Sequence, residues 1–131
     1  MHSILNDIVE KCRKLKIQGE REVTERSCEL IFSMSERSEL NVLFEGIFGP
    51  PIKPTGKTPA WRDRAMTRKD KGIRPEQKLF AKGFDGRTAI AIVKPWDRGT
   101  HITVRLAVLD EPIYVVTRSP LSRFINIFFG E

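Results

Sequence analysis

Lys78-Leu79-Phe80-Ala81-Lys82-Gly83-Phe84-Asp85-Gly86-Arg87-Thr88-Ala89-Ile90-Ala91-Ile92-Val93-Lys94 is the stretch that decides the fold. Its two halves are rich in apolar and aromatic residues, and they are separated by Asp85-Gly86, a dipeptide that tolerates positive φ at both positions. The pattern predicts a β-hairpin with strands over Lys78 to Phe84 and Arg87 to Lys94. A third strand follows the connection Pro95-Trp96-Asp97-Arg98-Gly99. In His101 to Leu109, Ile102, Val104, Leu106 and Val108 point one way, and His101, Thr103, Arg105 and Ala107 the other.

Beyond these strands, Asp110-Glu111-Pro112 reads as a turn and Ile113 to Val116 as a short fourth strand. Ser119-Pro120 supplies a cap and first position for a closing helix bearing Leu121, Phe124, Ile125 and Phe128. The expected apolar sheet face is Ile90, Ile92, Ile102, Val104, Leu106 and Val108. The opposite face, with Arg87, Ala89, Ala91, Val93, His101, Thr103, Arg105 and Ala107, sets small alanines between cations and reads as a surface free to stay open, accept a ligand or receive another subunit.

Upstream of the hairpin the period is helical. Ile4, Leu5, Ile8, Val9, Cys12 and Leu15 recur at helix spacing after Ser3, with Gly19 beyond the end. Thr24 can cap a second helix, with Val23 and Cys28 as a hydrophobic staple and Leu30, Ile31 and Met34 continuing the stripe. The run Leu30 to Met34 also alternates, which leaves a strand open there. Ser35 or Ser38 can cap a third helix over Leu40, Leu43, Phe44 and Ile47, stopped by Gly49-Pro50-Pro51. The fold class is therefore α+β: N-terminal helices packed on an antiparallel meander of three to four strands, with a C-terminal helix. All 131 residues form one domain. It has a helical half over 1–49, a basic Pro-rich connecting loop over 50–77 with at most a short helical turn around Trp61 to Lys69, and the meander plus closing helix over 78–131.

Charge is unevenly placed. Residues 1–49 carry seven Lys/Arg against nine Asp/Glu, residues 50–78 nine against three, and residues 79–131 seven against five, so the central segment holds an excess equal to the whole chain's +6. Nine cations on a loop can neutralise phosphates and release counterions, with Trp61 or arginine planes available for stacking. They can equally serve as a solvated surface. The polyanion-binding candidates are Lys53, Lys57, Trp61, Arg62, Arg64, Arg68, Lys69, Lys71 and Arg74, joined from the sheet by Arg87 and Arg105. Trp96, beside Asp97 and Arg98, reads either as an aromatic closing the core or as part of a small recognition site that Arg118 could join.

Several chemistries fail on spacing. Gly56-Lys57-Thr58 resembles the end of a phosphate-binding loop, but Pro51 stands where such a loop needs its first glycine, and Pro59 follows where a helix should begin. His2, His101, Cys12 and Cys28 lack the close spacing of zinc ligands. The two histidines adjoin no nucleophile motif. Glu22, Glu25, Glu29, Glu36 and Glu39, interleaved with Arg21, Arg26 and Arg37, read as a solvated helix face. No metal and no cofactor are expected. Apolar cysteine positions and the lack of a membrane-length apolar run point to a reduced, cytoplasmic protein. The sequence thus points to a non-enzymatic binding module whose partner is nucleic acid or an acidic protein. The alternative is an interaction domain that forms a homodimer through the open sheet face.

Overall fold

The computed structural model describes residues 3–113. The expected C-terminal helix, all of the fourth strand beyond Ile113, and Arg118 lie outside the described residues.

The chain is α+β, built on a five-stranded antiparallel sheet. The elements are α1 (Ile4–Cys12), β1 (Ile17–Arg21), β2 (Ser27–Ser33), α2 (Arg37–Phe48), α3 (Trp61–Thr67), β3 (Lys78–Phe84), β4 (Arg87–Pro95) and β5 (His101–Leu109), in the sheet order β1-β2-β5-β4-β3. The β3–β4 hairpin and β5 form where their patterns place them. Asp85 at φ 48° and Gly86 at φ 78° give the two positive-φ positions of the turn.

The N-terminal half departs from expectation. Residues 27–33 form a strand, not the second helix, because Ser27 to Phe32 is flanked by β1 on one side and β5 on the other. The strand is buried on both faces, so its apolar residues do not simply alternate, and Cys28, Leu30, Ile31 and Phe32 also match a helical template. Val23, the expected staple residue, is 65% exposed. Thr24 does cap, but it caps a turn: its Oγ1 accepts from the amides of Ser27 (3.0 Å) and Arg26 (3.3 Å). α1 ends at Cys12 instead of running through Leu15, and Gly19 lies in β1, where the ladder register shifts. Ser3 caps α1 through its Oγ. The turn leading into α2 is capped by Ser33, not by Ser35 or Ser38.

Both faces of the sheet are covered. On one, α1 and α2 bury Leu5, Ile8, Leu40, Phe44 and Phe48 against Cys28, Leu30, Phe32, Val104, Leu106 and Phe80. The rings of Phe44, Phe48 and Phe80 are mutually tilted at 5.7–5.9 Å. On the other face, Met66 of α3 packs on Leu79, Ala81, Ile90, Ile92, Ala107 and Leu109, with Ile52 and Ile73 at the margin. The assignment of β4 to faces is therefore reversed. Ala89 opposes Val108 and Ala91 opposes Leu106, so the alanines lie under the helices, while Ile90 and Ile92 face α3. Thr88 to Ile92 is buried throughout. In such a strand the alternation carries no inside or outside label, and a one-residue choice moves every side chain to the other face. The open face expected for self-association does not exist in this form: Ala89, Ala91, Thr103, Arg105 and Ala107 are all buried.

What was expected to be a connecting loop is that second layer. A bridge between Lys53 and Leu79 covers the outer edge of β3, with the Ile52 amide donating to the Leu79 carbonyl at 2.8 Å. Residues 63, 66, 67 and 70 turn inward from α3 and the 3-10 turn Arg68–Asp70 that follows it; the residues between them turn outward. Asp63 Oδ2 accepts from the Ala60 amide at 2.8 Å, securing the first turn of α3. Among the described residues no helix is long and apolar enough to cross a membrane.

Candidate functional site

β5 delivers Arg105 to the α3 side of the sheet, directly opposite Glu29 of β2 in the ladder. A guanidinium brought under a protein layer must find acceptors, and the surrounding elements supply them. Arg105 donates from Nη1 to Glu29 Oε1 (3.2 Å) and Glu22 Oε2 (2.9 Å), and from Nε to Asp70 Oδ1 (3.3 Å). The side chains of Arg105, Glu29 and Asp70 are 9%, 3% and 0% exposed. Around them, Lys71 donates to both carboxylate oxygens of Glu22 (2.8 and 2.7 Å) and to Glu29 (3.2 Å), Arg21 donates to Glu29 (3.1 Å), and Arg26 stands 3.6 Å from Asp70 Oδ2.

Glu22 and Lys71 both hold left-handed backbone, at φ 52° and 71°. Outside glycine this conformation persists where the surroundings impose it. Hydrogen bonding from Lys71 above all, with Arg105 contributing, holds the Glu22 carboxyl down at about 2. Lys94 reaches the same cluster from β4, and burial lowers its pKa. The cluster fastens the 50–77 layer to the sheet. It also concentrates five cations (Arg21, Arg26, Lys71, Lys94, Arg105) around three carboxylates (Glu22, Glu29, Asp70).

The expected site residues separate by what they touch and by which side of the sheet they occupy. Lys53 and Arg105 are buried and structural: Lys53 Nζ donates to the carbonyls of Pro54 (2.9 Å), Pro75 (2.8 Å) and Gln77, so it cannot meet a ligand. Lys71 is exposed but engaged by Glu22 and Glu29. Arg62 lies 3.9 Å from Asp63, whose Oδ1 is buried without a hydrogen bond. Lys57, Arg64, Arg68, Lys69 and Arg74 are exposed, and none is ion-paired among the described residues. Arg64 and Arg68 are one helical turn apart, and Trp61, 37% exposed, begins the same stripe. Arg87 belongs elsewhere. It shares the parity of Ala89 and Ala91 and so lies on the α1–α2 side of the sheet.

Where the turn after α3 meets the end of β5, a cavity of about 220 Å³ is floored by Met66 and Leu109 and bordered by Arg26, Arg68 and Lys69, with Asp110 and Glu111 on the far rim. Arg26 was not among the expected site residues. It comes from the half of the chain with net negative charge, and only strand pairing carries it beneath α3. Cys12 and Cys28 are buried thiols pushed up to about 12 and about 11, chiefly by burial, and belong to the core. Among the described residues no group of three or more His, Cys, Asp or Glu side chains is arranged to hold a metal ion. Comparison with protein-family models, with curated proteins and with solved structures finds no match to this chain. The functional reading rests on the geometry of the α3 layer.

Proposed function

We propose that this chain is a nucleic-acid-binding module whose contact surface is the outward face of α3 and the turn that follows it. The observation that carries this reading is a division of labour along one short segment. Asp63, Met66, Thr67 and Asp70 anchor it to the sheet, while Arg64, Arg68 and Lys69 project from it exposed and without an ion pair among the described residues. Cations whose role is purely structural become engaged, as Lys53, Lys71 and Arg105 do here. Those without an ion pair among the described residues present a fixed positive surface on an anchored element, and Lys57 and Arg74 extend it. Phosphate neutralisation by such a surface releases counterions and provides sequence-independent affinity, with Trp61 placed at its edge.

The test is fluorescence anisotropy of labelled oligonucleotides in low salt with the wild-type chain and with R64E/R68E/K69E. The reading expects binding by the wild type and a loss of affinity on the order of a hundredfold in the variant, which alters only exposed positions and should keep the wild-type melting temperature within a few degrees. An absence of binding by the folded wild-type protein would overturn it.

A further inference from the structure

We infer that Trp96 is a base-stacking platform at the far end of this cationic face and that the ligand is single-stranded nucleic acid; this rests on the nucleic-acid reading above. The ring is held by the fold. Trp96 Nε1 donates to Thr103 Oγ1 at 2.8 Å, and the Trp96 and His101 rings lie 4.5 Å apart, tilted at 38° to each other. The backbone closes around it: the Trp96 amide donates to the His101 carbonyl at 2.9 Å and the Gly99 amide to the Trp96 carbonyl at 2.8 Å. Yet Trp96 remains 40% exposed. A tryptophan that closes a core is covered. This one has its orientation fixed by a hydrogen bond and a neighbouring ring while much of its surface stays in solvent, so little conformational entropy is left to lose when a base stacks on it.

Its position relative to α3 follows from the parity of β5. Ala107 packs under Met66, Arg105 binds Asp70, and Thr103 accepts from Trp96, so all three mark one side of the sheet. Four residues of strand separate Ala107 from Thr103, about 14 Å. The interval between them is the ionic cluster, in which five cations outnumber three carboxylates, so that it is net positive although Lys71 is itself held by Glu22 and Glu29. One side of the molecule therefore offers an exposed tryptophan, a net positive strip, and a second exposed tryptophan beside unpaired arginines. Phosphates tracking the strip would leave bases free to meet Trp61 and Trp96. A duplex keeps its base faces stacked internally and cannot use either ring.

Trp61 and Trp96 are the chain's two tryptophans, so W61F leaves Trp96 as the sole reporter. A labelled single-stranded oligothymidylate and a duplex of equal length are titrated, reading anisotropy and tryptophan emission together. The inference expects Trp96 emission to be quenched in step with single-strand binding and to stay unchanged with duplex. It also expects W96A to weaken single-strand binding about five- to a hundredfold while leaving duplex binding as it was, and W96F to restore most of the loss. Single-strand binding with unquenched Trp96 emission and unaltered W96A affinity would overturn the platform and leave the nucleic-acid reading standing. No binding of either oligonucleotide would overturn both.

Discussion

Arg105 meets three carboxylates with one guanidinium, and its energetics follow from burial. Replacing it with methionine leaves Asp70 charged, fully buried and without its guanidinium donor, and takes one of three cationic donors from the buried Glu29. Removing one partner of such a group costs about 3–5 kcal/mol, so urea denaturation of R105M should show a loss of that size. The E29M/R105M double variant should lose less than the two single variants together, because the Glu29 carboxylate is no longer buried without that guanidinium, while the cost at Asp70 is common to R105M and the double variant. Additive losses would mean that the two side chains do not act as a pair. At this scale the sequence was least informative. Composition places nine cations in residues 50–78, but nothing in residue type distinguishes Lys53, whose ammonium is enclosed by three carbonyls, from Arg64, which meets solvent. That distinction depends on which residues turn toward the sheet. It is settled by partners as remote in sequence as Glu29 and Arg105, 76 residues apart.

Elements behaved according to how local their determinants are. The β3–β4 hairpin was legible because its turn chemistry lies in two adjacent residues, Asp85 and Gly86. β5 was legible because large apolar residues alternate with polar or small ones along it, although both sets are buried. β2 stayed ambiguous between helix and strand because Cys28, Leu30, Ile31 and Phe32 fit both periods, and the partners of Glu29 that settle it lie far away in sequence. The central prolines mark breaks correctly but conceal that the segment between them packs as a layer, since the apolar anchors Ile52, Met66 and Ile73 are too far apart to show periodicity. Met66 is the key anchor of α3, 1% exposed against Ile90, Ile92 and Leu109. M66A should cost about 2–5 kcal/mol through the cavity it leaves. In hydrogen exchange, the amides of residues 61–70 should lose more protection than those of α2; equal losses in both would contradict α3 being a separately anchored layer.

For the molecule as a whole, the two sheet faces divide the work: α1 and α2 close an apolar core, while the α3 side carries the ionic cluster, the exposed tryptophans and the unpaired cations. Acid should weaken the second side through Glu22. Its folded pKa lies near 2 against an ordinary 4.5, because Lys71 hydrogen-bonds the carboxylate, with Arg105 contributing. A depressed carboxylate stabilises the folded state at pH above its unfolded value, and that contribution fades as pH falls from about 4.5 toward 2. Urea midpoints of the wild type and E22Q should therefore converge across that window; a constant difference would contradict the pairing.

The central claim concerns the exposed cations that have no ion pair among the described residues, and the dependence of affinity on salt tests it most directly. With Lys57, Arg64, Arg68, Lys69 and Arg74 as phosphate contacts, log K for a single-stranded oligonucleotide should fall against log salt with a slope of about −3.5, roughly a hundredfold between 50 and 200 mM. R64E/R68E/K69E should reduce the steepness by about 2. Binding that does not respond to salt, or a slope that the triple variant leaves unchanged, would contradict the assignment of this surface.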